Sequence, residues 1–456
     1  MMNLPKRTAL KSGNKEKTKP SVAVIGAGPA GLFACDRLVE RGIRVDLYDR
    51  MNAPLCKFMV AGAHGGLNIS NKSMYGIARH TPIESGSVSP VCPLESLSHF
   101  SSPAQYGERR EEFARFFSAF SPEDFESRLS GLGCALREGS GGKLFPDGMD
   151  APEIARRWRK RLVQSGLCTF YPLHSLVSLS ADGSIGFSTG AGGLTICPDA
   201  AVFALGGASW PSTGSDGSWI PLFEALGCAV TPLESSNCGF EADWPPFIAG
   251  ICTGVPVKNA TLSVEIAGGS VCKVRGELVL TPYGIEGSIV YALGREIRRG
   301  IAEEGRAAVF LDLAPDLTLE AVQTRLGGGP GKTSASTWLK KALRLDRAVL
   351  AIIRERLGAD AMRNPAAVAP LVKRLPIPLY RARPIAEAIS SAGGLSFDEL
   401  DESLMIRRIP GWFCAGEMLD WDAPTGGFLM QGCFTTGFAA AEGAADWLAP
   451  RDSPRS

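Results

Sequence analysis

Three glycines and one acid carry the clearest chemistry in this sequence. Gly26, Gly28 and Gly31 stand as Gly-x-Gly-x-x-Gly, with Pro29 and Ala30 between the last two, and Asp49 follows eighteen residues after Gly31. Each position has its own task in holding a dinucleotide. The first glycine permits a tight turn, the second lets a pyrophosphate approach the backbone, and the third lets helix and strand pack closely. An acid at the end of the next strand can accept hydrogen bonds from an adenosine ribose. Arg50, beside Asp49, is counted with the same site.

Such a motif means little without the elements that position it. Here they are present. Val22 to Ile25 is an apolar, β-branched run that reads as a buried parallel strand and breaks at Gly26. Leu32, Cys35, Leu38 and Val39 then share one helical face, and Gly42 marks the expected stop. Ile43 to Tyr48 reads as the second strand, ending at Asp49.

Similar punctuation recurs far along the chain. Val202 to Leu205 reads as a buried strand turning at Gly206 and Gly207, and Trp412 to Ala415 as a short strand entering Gly416 and Glu417. Gly426, Gly427 and Phe428 open a long helix of apolar and small residues reaching Leu448. A flavin domain interrupted by insertions needs such late elements to close over the cofactor. The expected organisation is a disordered basic tail over 1–20 and a first nucleotide-domain part over 21–230, with a Ser/Pro-rich loop at 81–103. An inserted β module over 231–315, an inserted helical module over 316–375 and a second nucleotide-domain part over 376–448 follow. The fold class expected is α/β, a discontinuous Rossmann-like domain with two inserted modules.

Composition narrows the classes. The 456 residues hold 48 basic and 47 acidic side chains, a formal net charge of +1, so no global field recruits nucleic acid or an anionic membrane. No apolar run reaches the length of a membrane span. Twelve cysteines occur without a Cys-x-x-Cys, which removes the zinc-ribbon and dithiol-reductase readings. Without a signal peptide they fit a reducing cytoplasm. The four histidines, His64, His80, His99 and His174, do not pair at ligand spacing, so no metal is expected.

Two tempting signals are set aside. Gly327 to Thr333 resembles a phosphate loop, but Leu326 stands where its first glycine is required, and the preceding segment reads as helix. Arg156, Arg157, Arg159, Lys160 and Arg161 crowd one helix around Trp158 and Leu162. That pattern reads first as a solvated face and second as a local nucleic-acid footprint.

The chain resembles the bacterial BaiN/YhiN-type flavoproteins, the aminoacetone-oxidase family of FAD-binding enzymes, over about residues 21–448. The resemblance is carried by the first glycine motif, Lys57 to Asn68, Gly142 to Pro146, Leu205 to Pro211, Ser236 to Phe240, Thr281 to Ser288, Ala415 to Asp420 and Thr425 to Phe428. The long 81–103 segment and the basic tail depart from it. It implies a discontinuous FAD domain with two insertions and an oxidoreductase holding non-covalent FAD. It leaves the substrate open, because relatives reduce conjugated enones in bile acids, oxidise aminoacetone or reduce uridine in ribosomal RNA.

On this basis Gly26, Gly28 and Gly31 are assigned to the pyrophosphate and Asp49 to the ribose. Gly206 and Gly207 let backbone lie against the dinucleotide, and Glu417 with Gly416 approaches the ribityl chain or pyrophosphate. Gly426 and Gly427 would aim a helix N-terminus at the flavin N1–C2 edge, favouring reduced flavin. Lys57 is a candidate cation beside flavin or phosphate. His64 and Tyr283 are candidate proton donors.

Three reactions remain open. Reduction of a conjugated double bond in a small molecule by NAD(P)H, with the nicotinamide as co-substrate, is the preferred reading. No acidic or aromatic cage for an amine stands out in the motif loops, which places an oxygen-using amine oxidase second. A uridine reductase acting on RNA is third, with Arg156–Arg161 and Arg295, Arg298 and Arg299 as its basic residues.

Overall fold

The computed structural model describes residues 20–74, 102–265 and 271–449, so the expected basic tail and nearly all of the 81–103 loop lie outside the described residues. Its centre is a five-stranded parallel sheet in the order Trp412–Cys414, Ala200–Phe203, Ser21–Ile25, Arg44–Tyr48, Cys168–Tyr171. Strands covered on both faces must be apolar throughout. Val22, Val24, Val202 and Phe203 are accordingly buried completely. From the first strand the chain steps outward to the second, then returns much later on the opposite side at Ala200–Phe203. The carboxyl ends of the strands at such a reversal form the usual ligand crevice of an open α/β sheet.

Helix Pro29–Glu40 starts directly from the glycine turn, with Pro29 in the first turn where its missing N–H costs nothing. Helix Phe428–Leu448 packs against it so closely that a Cβ on Gly437 would sit 2.3 Å from the Ala30 carbonyl oxygen. A three-stranded antiparallel sheet, Ser175–Leu179, Ile185–Thr189 and Gly192–Ile196, joins the central sheet through Phe187, whose ring stacks on Tyr48 at 4.7 Å.

A second, separate core belongs to a seven-stranded antiparallel sheet. Its order is Leu375–Pro376, Val309–Asp312, Val255–Glu265, Val271–Thr281, Gly284–Glu286, Phe240–Ala242, Leu379–Ala382. Two of these strands lie beyond residue 315 because the helical segment is inserted within the sheet itself. That segment holds helices Leu319–Leu326, Ala335–Leu343, Arg347–Ala361 and Pro365–Lys373. Each starts at a polar cap, Thr318, Ser334, Asp346 and Asn364, whose side chain accepts a backbone N–H.

The basic helix of the sequence is Ala151–Gln164, and three of its arginines, Arg156, Arg157 and Arg161, pair with the protein's own acids. Arg156 and Arg157 pair with Glu153, and the Arg159 guanidinium lies over the Phe170 ring. Arg161 reaches Asp36 at 2.9 Å and Glu40 at 2.8 Å, while Arg128 meets Asp36 at 2.8 Å. Asp36 is 1% exposed, so it is a buried anion shared by two arginines. Its replacement, Asp36→Ala, is expected to cost about 3 kcal/mol, because both cations then lose a desolvated partner. The midpoint of urea unfolding measures this, and an unshifted midpoint would show that Glu40 alone suffices.

Candidate functional site

A cavity of about 360 Å³ opens at the carboxyl ends of strands Ser21–Ile25, Ala200–Phe203 and Trp412–Cys414. That volume is within the range of small-molecule sites. Gly26, Gly28, Pro29, Ala30, Asp49, Arg50, Lys57, Gly206, Gly416 and Glu417 all line it, gathered from segments almost 400 residues apart. The turn is fixed by the sheet: Gly26 N–H donates to the Tyr48 carbonyl at 2.8 Å.

The three motif glycines are glycines for different reasons. Gly26 has φ +102°, and a Cβ there would lie 2.2 Å from the Ala204 carbonyl oxygen. At Gly31 the Cβ would fall 1.8 Å from the Gly26 carbonyl oxygen, so helix and turn touch through bare backbone. Gly28 differs. Its φ is −74°, open to any residue, and its Cβ would meet nothing within 4 Å. The protein's own packing makes no demand for glycine at 28, and the space a side chain would take opens at the N-terminus of helix Pro29–Glu40, where an anion is favoured. Ser215 Oγ, buried on the same wall without a hydrogen-bond partner among the described residues, is a second group awaiting one. A dinucleotide pyrophosphate fits this cradle.

Asp49 has a second task. Its two carboxylate oxygens accept the backbone N–H groups of Ala27, at 2.5 Å, and Met51, at 2.6 Å, tying the glycine turn to the loop after the second strand. Burial pushes its pKa up, against these two donors and Arg50, which hold it down. Each oxygen keeps a further lone pair for a ligand hydroxyl. Arg50 pairs with Asp216 at 2.6 Å. Lys57 Nζ lies 2.9 Å from Glu417 Oε2 and donates to Ser209 Oγ at 2.6 Å, and Ser391 N–H donates to Glu417 Oε1 at 2.9 Å. Lys57 is thus half of an ion pair on the cavity wall rather than a lone cation.

A family model described as the HI0933-like protein Rossmann domain matches residues 95–443. The chain belongs to the HI0933-like family. It is an FAD-dependent oxidoreductase. Among relatives, it is 24% identical to the 3-dehydro-bile acid delta(4,6)-reductase of Clostridium scindens, with 93% of this chain and 99% of that protein covered. It is also 24% identical to the ribosomal RNA dihydrouridine synthase of Escherichia coli, over 94% and 98% of the two chains. Among solved structures it is similar to the 3-ketosteroid delta1-dehydrogenase of Sterolibacterium denitrificans. There the identity is 11% and the TM-score 0.49, over 93% and 99% of the chains.

Several expected contacts are placed elsewhere by the structure. Gly207 does not line the cavity. A Cβ there would lie 2.3 Å from Ser391 Oγ, so glycine serves packing between the nucleotide turn and strand Ser390–Leu395. Gly426, Gly427 and Phe428 are also outside the lining. A Cβ on Gly427 would fall 2.3 Å from the Ser70 carbonyl oxygen, Asn71 Nδ2 donates to the Gly426 carbonyl and Tyr106 Oη to that of Phe428. The turn into the last helix is therefore clamped by protein groups, and this cavity gives no support to the expected contact between that helix end and the flavin.

The two candidate proton donors fare differently. Tyr283 lies in the antiparallel module and outside the cavity lining. Its Oη donates to Glu286 Oε2 at 2.6 Å, and burial together with that carboxylate raises its pKa well above the ordinary tyrosine range. It holds its proton tightly. His64 belongs to helix Cys56–Gly65, but its side chain lies outside the described residues.

Sequence reasoning missed one whole wall of the cavity. His174, Ser175, Leu176 and Val177 line it from the antiparallel sheet, and Trp219 Nε1 donates to the Gly206 carbonyl at 2.9 Å, fixing that turn. Cys433, on the last helix, also faces it, its thiol pushed up to about 12 by burial and by Glu417. No motif marks these residues.

Proposed function

We propose that this protein takes electrons from NAD(P)H and uses them to saturate an electron-poor carbon–carbon double bond. The observation that carries the reading is the cavity open above Gly28, in a chain matched almost end to end by two relatives whose names both describe saturating such a bond. Bound FAD would supply the two-electron redox chemistry, the protein contributing position and electrostatics. Gly28 leaves room for the pyrophosphate at the helix N-terminus. Asp49 offers its remaining lone pairs to the ribose. The Lys57–Glu417 pair puts a fixed donor and a fixed acceptor on the wall without adding net charge.

The test is anaerobic mixing with NADH and, separately, NADPH while the visible absorption of the bound flavin is followed. Bleaching by one nicotinamide, with recovery on adding an enone, is expected. Rapid bleaching by a simple amine such as aminoacetone, with no response to either nicotinamide, would overturn the reading in favour of an oxidase.

A second version of the same chemistry has the double bond of uridine, within RNA, as substrate. Most of the arginines first considered for it have partners within the protein. Besides the Arg156–Arg161 helix, Arg295 donates to the Asp422 carbonyl and Arg298 pairs with Asp422. Another part of the chain favours it instead.

A further inference from the structure

We propose that the inserted helical module is a docking surface for the phosphodiester backbone of a structured RNA, which deepens the RNA version of the proposed reduction and rests on it. Residues 316–375 contain eleven Lys and Arg against five Asp and Glu. The module therefore carries +6 in a chain whose total is +1, and the near-neutral total conceals it. Arg325, Lys332, Lys340, Lys341, Arg344 and Arg363 are all exposed, and none has an ion-pair partner among the described residues. The Ala151–Gln164 helix differs, since its Arg156, Arg157 and Arg161 pair with Glu153, Asp36 and Glu40.

Arg325, Lys332 and Arg363 border one loop. Arg363 donates to the Gly331 carbonyl at 3.1 Å, and Trp338 Nε1 to that of Leu326 at 3.3 Å. The end of helix Leu319–Leu326, the start of helix Ala335–Leu343 and Arg363 therefore all border the Gly327–Gly331 turn. Lys341 lies one helical turn beyond Trp338. A Cβ on Gly327, Gly328 or Gly331 would meet nothing within 4 Å, so the backbone there is open to close approach. Open backbone bordered by cations that have no ion-pair partner among the described residues suits a chain of phosphates, which a polynucleotide presents at regular spacing. An anionic membrane fits less well. Surface-seeking helices bring an exposed apolar face as well as charge, whereas here Leu339 is buried and Trp338 is tied to Leu326.

The test uses the FAD-loaded full chain and a labelled ribosomal RNA hairpin, with affinity measured across a range of salt concentrations. The parent should bind with a steep salt dependence. The triple variant Lys332→Gln, Lys340→Gln, Lys341→Gln should reduce the slope of log affinity against log salt by about 2–3, the share of three phosphate contacts. Its flavin content and melting should match the parent, because these side chains are exposed. The control pair Arg156→Gln, Arg159→Gln should leave the slope unchanged. A slope that falls in the control and not in the triple variant would overturn the proposal. So would preferential capture by phosphatidylserine vesicles or by a DNA duplex of the same sequence. Failure of the redox reading shows separately, as RNA binding without flavin bleaching by NAD(P)H.

Discussion

Gly28→Asp is expected to give a folded, colourless protein. Gly28 is the N-cap of helix Pro29–Glu40, with φ −74° and ψ −174°, a backbone that aspartate adopts freely and a position where it is among the preferred residues. The ligand-free fold should therefore melt at the parent temperature or slightly above. The new carboxylate would stand where the cavity admits the pyrophosphate, adding a clash and a like charge, so FAD retention should be lost entirely. The neighbouring glycines give the opposite pattern. Gly31→Val drives a Cβ to within 1.8 Å of a carbonyl oxygen, which exceeds the ordinary overpacking cost of about 1–3 kcal/mol. Gly26→Val adds the strain of a left-handed φ, another ~1–3 kcal/mol, and both should fail to fold. Flavin absorbance after desalting, together with thermal melting, separates the cases. A yellow Gly28→Asp protein would remove the pyrophosphate from this turn.

What the sequence made legible was local. The strand, turn, helix and second strand around Gly26–Asp49 are encoded within some thirty residues, so periodicity and glycine spacing suffice to read them. The difference between Gly28 and its neighbours is not local. It depends on Ala204, more than 170 residues away, standing behind Gly26. The Lys57–Glu417 pair spans 360 positions and has no spacing signature. Arg161 of the Ala151–Gln164 helix could not be read as paired from its own segment, because its partners Asp36 and Glu40 are on another helix. In the helical module the charge was on the page from the start, but a whole-chain total averaged it away. The return of the antiparallel sheet after the helices was hidden for a related reason: its strands there, Leu375–Pro376 and Leu379–Ala382, offer too few residues for alternation to show.

Asn237 stood in the sequence only as part of a motif, yet its replacement should have the second-largest effect. It is 2% exposed and holds φ +51°, where a branched or bulky side chain is strained and asparagine is tolerated. Its Nδ2 donates to the Ala423 carbonyl at 2.8 Å and to Ser390 Oγ at 2.7 Å, and its Oδ1 accepts the Thr425 N–H at 2.8 Å. It therefore pins the strand leaving the nucleotide domain to the segment that enters Gly426 and Gly427. Asn237→Ala leaves a buried N–H and a buried carbonyl unpaired at about 1–3 kcal/mol each, so a total loss near 3–5 kcal/mol is expected. Asn237→Gly relieves the backbone but restores no bond, and should recover only about 1 kcal/mol of that. Asn237→Asp keeps the Thr425 contact but sets a buried carboxylate oxygen against the Ala423 carbonyl oxygen, so it should cost at least as much as the alanine variant. The cavity above Gly28 does not include Asn237 or Thr425, so flavin content should persist in the folded fraction. Equal melting of Asn237→Ala and the parent would reduce this residue to a spectator.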